Sequence, residues 1–261
     1  MQNNSNEHLP IEQNSAVDTE QIKKIFNDAV NSLLNFQFEH ARKGFEKVIE
    51  LNPRSSEAFL NLGTVYFKRN DMNQAITNFR KALELDPVLF NGYLNIGNAY
   101  FKKSEYDDAI GYWNIAAHLK PENWNVQQNL AVAYEKKNDR QNSFKHYEKY
   151  LQVCQKKSQV YQNIFDKVTG AKKAAYEFFK YGVKKQKQKK LRKAVKAYMT
   201  SLEFYPNHAK TLTNLGSVLY QEGYIENALQ YWKGGLFLDP CHANTHCNMA
   251  IAYDQLQTYD M

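Results

Sequence analysis

The spacing of the prolines is the feature that most constrains the fold of this chain. Pro53, Pro87 and Pro121 lie 34 residues apart, and so do Pro206 and Pro240. The 85 residues between the two groups equal two periods of 34 plus 17 further residues. A strict period of this length is typical of helix–turn–helix units, which must stack because one unit cannot bury its own apolar face.

Most periods place the same residue types at the same positions, although the first is looser, with Asp28 and Ala29 where Leu–Gly is expected, and the fourth has Ser143 and Gln155 in place of its alanine and proline. The second and third periods, 34 residues apart, match best: Phe59, Leu62, Gly63, Tyr66, Ala75, Phe79 and Ala82, then Tyr93, Ile96, Gly97, Tyr100, Ala109, Trp113 and Ala116. This pattern resembles the tetratricopeptide repeat over about residues 22–261. The resemblance implies an all-α fold, a right-handed superhelical solenoid of helix–turn–helix repeats with about thirteen helices or more.

The period also predicts how the chain is divided. We expect a disordered polar segment over residues 1–20, four repeat units over 21–154, an insertion over 155–174, and two further units with the first helix of a seventh over 175–261. The apolar spacing in the insertion predicts one short helix ending near Gly170, either as an extra helix or as an extension of the fourth second helix, and a flexible hinge is the alternative. We also expect the natural protein to continue beyond Met261, because the last first helix has no partner; a frayed terminus or a dimer is the alternative.

Local signals predict the helix contacts and ends. Gly63, Gly97, Gly182 and Gly216 are expected where two helix axes approach most closely. Asp71, Ser104 and Asn138 are predicted to begin second helices, since their side chains can cap a helix N-terminus. The prolines are predicted to end the second helices.

Composition excludes several classes of protein. No stretch is long and apolar enough to span a bilayer, residues 1–20 lack the apolar core expected of a signal peptide, and three cysteines are too few for a disulfide framework, which together predict a cytoplasmic location. No catalytic or phosphate-binding signature appears, so we predict no enzyme activity and no cofactor. His242 and His246 could face one metal ion, but His246 occupies the aromatic repeat position, and we predict no metal site.

A repeated asparagine predicts the binding surface. Asn61, Asn95, Asn129, Asn214 and Asn248 share one position of the first helices, where asparagine is a poor helix former. An amide can both donate to and accept from an extended peptide backbone. The series resembles the asparagine ladder of the O-GlcNAc transferase repeat domain, although bonding between neighbouring helices is the alternative.

Other first-helix residues should flank the asparagines in a concave groove. The apolar members are Leu60, Leu94, Phe67 and Phe101, and the basic members are Lys68, Lys102 and Lys136. A net charge of +7 mildly favours an acidic partner. Phe26 and Val30 stand where the carboxylate clamp of chaperone adaptors has its first lysine and asparagine, so we do not expect recognition of chaperone tails.

We predict a scaffold or adaptor that binds an extended protein segment, without membrane insertion or a small-molecule substrate. One alternative is the substrate-recognition region of a larger enzyme such as a glycosyltransferase. A nucleic-acid binder is the least supported, resting on the basic residues from Lys184 to Lys193. Phe178 and Tyr198 are expected to be used in packing, which would leave no stacking platform beside that charge.

Overall fold

The computed structural model describes residues 11–154 and 158–259, and within these residues it contains thirteen α-helices and no strand. In chain order they are α1 Ile11–Leu34, α2 Phe38–Leu51, α3 Ser56–Lys68, α4 Met72–Leu85, α5 Phe90–Lys102, α6 Tyr106–Leu119, α7 Trp124–Lys136, α8 Arg140–Val153, α9 Gln159–Lys187, α10 Leu191–Phe204, α11 Ala209–Gln221, α12 Ile225–Leu238 and α13 Ala243–Tyr259. The all-helical, paired arrangement confirms the predicted fold class.

The chain divides after Glu122 into two compact units. Unit 1 contains α1 to α6, packed as the antiparallel pairs α1/α2, α3/α4 and α5/α6, and each pair also packs on the next. Its first helices contact one another in order, α1 with α3 and α3 with α5. Unit 2 contains α7 to α13, in which α7/α8, α9/α10 and α11/α12 form the pairs.

Close packing within each pair explains the repeated small residues. A β-carbon added to Gly97 would overlap the ring of Trp113, which is buried on the partner helix α6. Equivalent contacts involve Phe79, Tyr198 and Trp232 at the other three glycines predicted for this role. The predicted close approach of the axes is therefore confirmed, and any side chain at these positions would push the two helices apart.

The turn inside each pair is built differently from the prediction. The first helices are followed by a residue in the left-handed region, at Phe36, Asn70, Ser104, Asn138, Lys189 and Gly223. Ser104 and Asn138 were expected to cap second helices, and that expectation is wrong because they hold this turn conformation instead. The residue after Asn138, Asp139, is the cap and accepts a hydrogen bond from the backbone N–H of Asn142 at 3.0 Å. Asp71 caps α4 as predicted.

The insertion does not form a helix of its own. Helix α9 runs unbroken through Gly170, and the preceding α8 has the same 14 residues as other second helices. The buried residues Ile164, Val168, Ala175 and Gly182 continue one helical stripe without a change of phase, whereas Gly170 lies on the exposed side. The helix end expected near Gly170 is therefore wrong. Residues 155–157 lie outside the described residues.

At the other end of unit 1, α1 begins at Ile11, inside the segment that was expected to be disordered. Residues 1–10 of that segment lie outside the described residues. No helix of the described chain combines the length and apolar character needed to cross a bilayer.

Candidate functional site

The first helices of unit 1 share one face. Five equivalent positions at helical spacing bring side chains to the same side of each helix. The members, which we call the unit 1 face, are Phe26, Asn27, Val30, Leu33 and Leu34 on α1, Leu60, Asn61, Thr64, Phe67 and Lys68 on α3, and Leu94, Asn95, Asn98, Phe101 and Lys102 on α5.

Asn61 and Asn95 occupy equivalent positions of this face and are both half-buried. The Nδ2 of Asn61 donates to the carbonyl oxygen of Glu57 at 2.9 Å, which leaves one amide hydrogen and the Oδ1 acceptor for another group. The side chain of Asn95 makes no hydrogen bond to any described residue. A ligand that approaches α3 and α5 therefore finds donors and acceptors that the fold itself does not use.

A third asparagine, which was not among the predicted site residues, extends the row. Asn27 occupies the same position on α1, one period before Asn61, and its side chain is exposed. Stepping the period back from Asn61 would have found it, but Asp28 and Ala29 replace the expected Leu–Gly and made the first unit look loosely matched. The unit 1 face thus carries one asparagine on each of three helices that contact in order.

The remaining predicted asparagines lie in unit 2 and do not form a comparable row. Asn129, Asn214 and Asn248 are half-buried on α7, α11 and α13. Lys180 occupies this position on α9, so the series is interrupted between α7 and α11. The Nδ2 of Asn214 points to the hydroxyl of Tyr198 on α10 at 3.5 Å, a long contact that suits the cross-brace reading better than ligand binding.

The predicted apolar residues pack against the core on one side and remain partly exposed on the other. Leu60 and Phe67 pack against the buried cluster of Ala75, Phe79 and Ile96, and both remain partly exposed. Leu94 is likewise half-buried on α5. These side chains form a fixed apolar floor beside the asparagines, because their buried halves hold them in place.

Phe101 has a similar double environment. Its ring lies 5.6 Å from Trp113 and 5.4 Å from Tyr106, measured between ring centroids, and it is half-buried. The ammonium of Lys102 lies 4.5 Å from the centroid of the Phe67 ring and joins the basic and apolar parts of the face.

The predicted basic residues have a structural cause as well. Lys68, Lys102 and Lys136 are exposed and are the last residues of α3, α5 and α7. A cation in the last turn offsets the partial negative charge of a helix C-terminus by about 0.3–1 kcal/mol. Their recurrence therefore does not by itself require a ligand, although Lys68 and Lys102 lie at the rim of the unit 1 face.

The segment from Cys241 to Cys247 contains the two histidines considered above. The imidazole Nε2 of His246 lies 2.8 Å from the carbonyl oxygen of Pro240, and Cys241 and Cys247 are exposed free thiols. Within residues 11–154 and 158–259, no group of three or more His, Cys, Asp or Glu side chains converges on one point.

Three family models match the chain. Two are described as tetratricopeptide repeat and match residues 45–77 and 94–158, and one described as TPR repeat matches residues 63–104. No curated protein matches the sequence.

Several solved structures resemble the chain at low identity. The TPR protein YrrB, whose structure is described as having an unusual peptide-binding site, is 20% identical with a TM-score of 0.41, over 78% of this chain and 96% of that one. A chain of the Cut9–Hcn1 heterotetramer of APC/C is 18% identical with a TM-score of 0.48, over 88% of this chain and 42% of that one. The first TPR of Spaghetti (RPAP3), bound to an HSP90 peptide, is 15% identical with a TM-score of 0.44, over 46% of this chain and 94% of that one.

The helix pairs continue beyond the matched segment, since α11 and α12 have the same 13 and 14 residues as α5 and α6. The chain is a helical repeat protein that carries recognised tetratricopeptide repeats across residues 45–158.

Proposed function

We propose that this protein is an interaction scaffold that binds an extended peptide segment on the unit 1 face. The observation that carries the proposal is the row of Asn27, Asn61 and Asn95 on three helices that contact in order. An extended peptide offers N–H and C=O groups at regular spacing along its backbone, so one amide on each helix can meet successive groups of a single ligand.

The availability of these amides supports the proposal. Asn95 uses neither its donor nor its acceptor within the described residues, and Asn61 uses one of its two amide hydrogens. Asparagine also lowers helix propensity relative to alanine, which makes three at one position costly without a compensating contact. The alternative function, substrate recognition within a larger enzyme, would use the same surface. The resemblance to O-GlcNAc transferase on which this alternative rests remains a prediction.

The residues around the row suggest how it selects ligands. Leu60, Leu94 and Phe67 offer partly exposed apolar surface that fits alternate ligand side chains. Lys68 and Lys102 are exposed at the rim and favour an acidic segment by increasing the association rate.

The test is a binding measurement with selected peptides. A peptide that binds the full chain is isolated from a random peptide library, and its Kd is measured by isothermal titration calorimetry. Replacing Asn27, Asn61 and Asn95 together by alanine should weaken binding by roughly 2–4 kcal/mol, because each amide contributes about 0.5–1.5 kcal/mol of net hydrogen bonding. Helix content should not fall, because alanine is the better helix former.

A matched control replaces three asparagines of the second helices, Asn73, Asn78 and Asn114, by alanine. They lie on α4 and α6, away from the unit 1 face, and the control should bind the peptide normally. If the Asn27, Asn61 and Asn95 variant stays folded and binds as tightly as the control, peptide binding on this face is wrong. If it unfolds while the control does not, the asparagines are structural braces instead.

A further inference from the structure

Positive charge is concentrated in one stretch of unit 2. Between Glu177 and Glu203 there are nine lysine and arginine residues and no aspartate or glutamate. This stretch alone carries +9, whereas the whole chain carries +7, so the remaining residues sum to −2. The stretch covers the end of α9 and most of α10, and we call it the α9–α10 basic surface.

Ion pairing does not neutralise this charge. Lys180 pairs with Glu177 at 2.8 Å, and the other eight cations have no acidic partner among the described residues. Seven of those eight are exposed: Lys184, Lys187, Lys189, Lys190, Arg192, Lys193 and Lys196. Free cations at this density repel one another and favour a polyanion.

Helix stability does not explain the cations at the start of α10. The position before the helix is Lys190, which forms no capping hydrogen bond, and Arg192 and Lys193 follow in the first turn. The N-terminus of a helix carries partial positive charge, so cations there are unfavourable. Three other second helices, α2, α6 and α12, place acidic residues in this turn, as α6 does with Asp107 and Asp108.

Exposed aromatic rings lie beside the charge. Phe178 is used in packing, as expected, yet it stays 38% exposed, and Tyr181 is 49% exposed. Phe178 stacks on Phe204 of α10 with 5.5 Å between ring centroids and 11° between ring planes, which fixes its orientation. Tyr198 is fully buried, as expected. Packing therefore leaves exposed ring surface at Phe178 and Tyr181 beside the charge.

The rings and the cations meet in one cleft between α9 and α10. Its volume is about 350 Å³, and it is lined by Phe178, Tyr181, Lys193, Lys196, Ala197 and Thr200. Lys185 does not line the cleft, but its Nζ lies 4.7 Å from the centroid of the Tyr181 ring. Planar apolar surfaces and ammonium groups thus stand side by side within one small volume.

We infer that the α9–α10 basic surface binds single-stranded nucleic acid. Unpaired bases stack on Phe178 and Tyr181, and their phosphates contact Lys193, Lys196 and the neighbouring cations. Each stacked base is worth about 1–3 kcal/mol, with little dependence on sequence. Carboxylates of an acidic peptide could also pair with the lysines, but the exposed, oriented rings favour a ligand with flat faces. This site is on unit 2 and is independent of the unit 1 face.

The test is a fluorescence-anisotropy titration of the full chain with a labelled 20-nucleotide oligouridylate. Parallel titrations use oligothymidylate, a 20-base-pair DNA duplex and a polyglutamate peptide, to separate RNA, DNA, duplex and acidic protein. We expect both single strands to bind more tightly than the duplex and polyglutamate. Contact with four phosphates predicts roughly 50-fold weaker binding of a single strand at 200 mM than at 50 mM salt.

Two variants distinguish stacking from charge. Phe178→Leu with Tyr181→Leu keeps apolar volume and should weaken single-strand binding about tenfold or more, with the same salt dependence. Lys193→Gln with Lys196→Gln should weaken binding and reduce the slope of log affinity against log salt by about 1.4. The matched control, Lys23→Gln with Lys24→Gln, removes the same charge from exposed positions of α1 and should change the affinity less than twofold.

Four outcomes would overturn the inference. They are no binding of any single strand, polyglutamate or duplex binding as tightly as single strands, an unchanged affinity in the folded double-leucine variant, and equal loss in the Lys23/Lys24 control. Circular dichroism confirms folding of each variant. The lysine pair tests the site even if the aromatic pair fails to fold, because both lysines are exposed.

Discussion

At the scale of single residues, unit 2 replaces an aromatic pair by a polar one. In unit 1 the rings of Tyr93 and Tyr112 lie 6.5 Å apart, and the equivalent residues one period later are Gln127 and His146. His146 occupies the position of Tyr112 and stacks on Tyr134, with 5.4 Å between the ring centroids. Gln127 is fully buried, and its Oε1 accepts a hydrogen bond from Nδ1–H of neutral His146 at 2.9 Å.

This environment makes His146 sensitive to pH. Burial, reinforced by the positive charges of Lys145 and Lys149, lowers the pKa of His146 to about 4. The unfolded chain keeps the ordinary histidine pKa of about 6.5, so below that pH the unfolded state takes up the proton first. The stabilisation from neutral His146 is therefore present above pH 6.5 and is lost as the pH falls towards 4.

Replacing the pair by the unit 1 residues should remove this dependence. The variant Gln127→Tyr with His146→Tyr lacks the titrating group, whereas the wild type should lose roughly 1–2 kcal/mol more of its free energy of unfolding between pH 7 and pH 5. Urea denaturation at the two pH values measures the difference. The pKa of His208 is also lowered by burial, but His208 is present in both proteins and cancels. Equal pH dependence in the two proteins would show that His146 titrates normally.

At the scale of helices and turns, one left-handed residue follows each of the six first helices that lead into a second helix, α1, α3, α5, α7, α9 and α11. Five of the six observed are not glycine, although glycine alone adopts a positive φ without steric cost. Gly223, with φ +86°, and the asparagines Asn70 and Asn138 are residue types that favour this region, and the space next to the α-carbon of Gly223 is open. Ser104 holds the same turn position with φ 63°. The repeat geometry imposes this conformation even where the residue is unsuited to it.

A reciprocal exchange tests this conclusion. Ser104→Gly should stabilise unit 1 by about 0.5–1 kcal/mol because it removes the cost of a β-carbon at positive φ. Ser104→Ala keeps the β-carbon and should give no such gain, and Gly223→Ala should destabilise the protein by about 1 kcal/mol. Urea unfolding at pH 7 measures all three. A gain from alanine equal to that from glycine would assign the effect to loss of the serine hydroxyl.

The same elements show what the sequence could predict. Second helices end two residues before their prolines, as Leu51, Leu85 and Leu119 do, because proline cannot continue the hydrogen-bond ladder. The predicted helix end near Gly170 is wrong because the prediction treats this glycine as a stop signal. A glycine inside a helix costs only about 1 kcal/mol relative to alanine, and the buried stripe on both sides outweighs it.

The functional surfaces were less predictable than the helices. The period identified Asn61 and Asn95, since equivalent positions must share a face. It could not show that the amide of Asn214 is directed at Tyr198, or that Phe178 would stay exposed. Such outcomes depend on which side chains meet across a helix pair, and the repeat pattern alone does not fix those contacts.

At the scale of the whole molecule, each unit has apolar clusters of its own. Unit 1 has one around Phe45 and Leu62 and another around Phe79 and Ile96. Unit 2 has one around Tyr147 and Tyr150, with others around Tyr198 and Trp232. About three stacked repeats are sufficient for stable folding of such arrays, and unit 1 contains three complete helix pairs.

A chain that ends at Glu122 should therefore fold alone and keep the peptide-binding activity. It contains the whole row of Asn27, Asn61 and Asn95, so its Kd for a selected peptide should lie within about threefold of the full chain, a difference under 1 kcal/mol. Circular dichroism and urea unfolding establish that the shorter chain is folded, and calorimetry measures its affinity. The complementary chain from Asn123 to Met261 is the matched control and should not bind the peptide. A folded unit 1 that fails to bind, while the complementary chain binds, would move the peptide site to unit 2 and leave the three asparagines without a ligand.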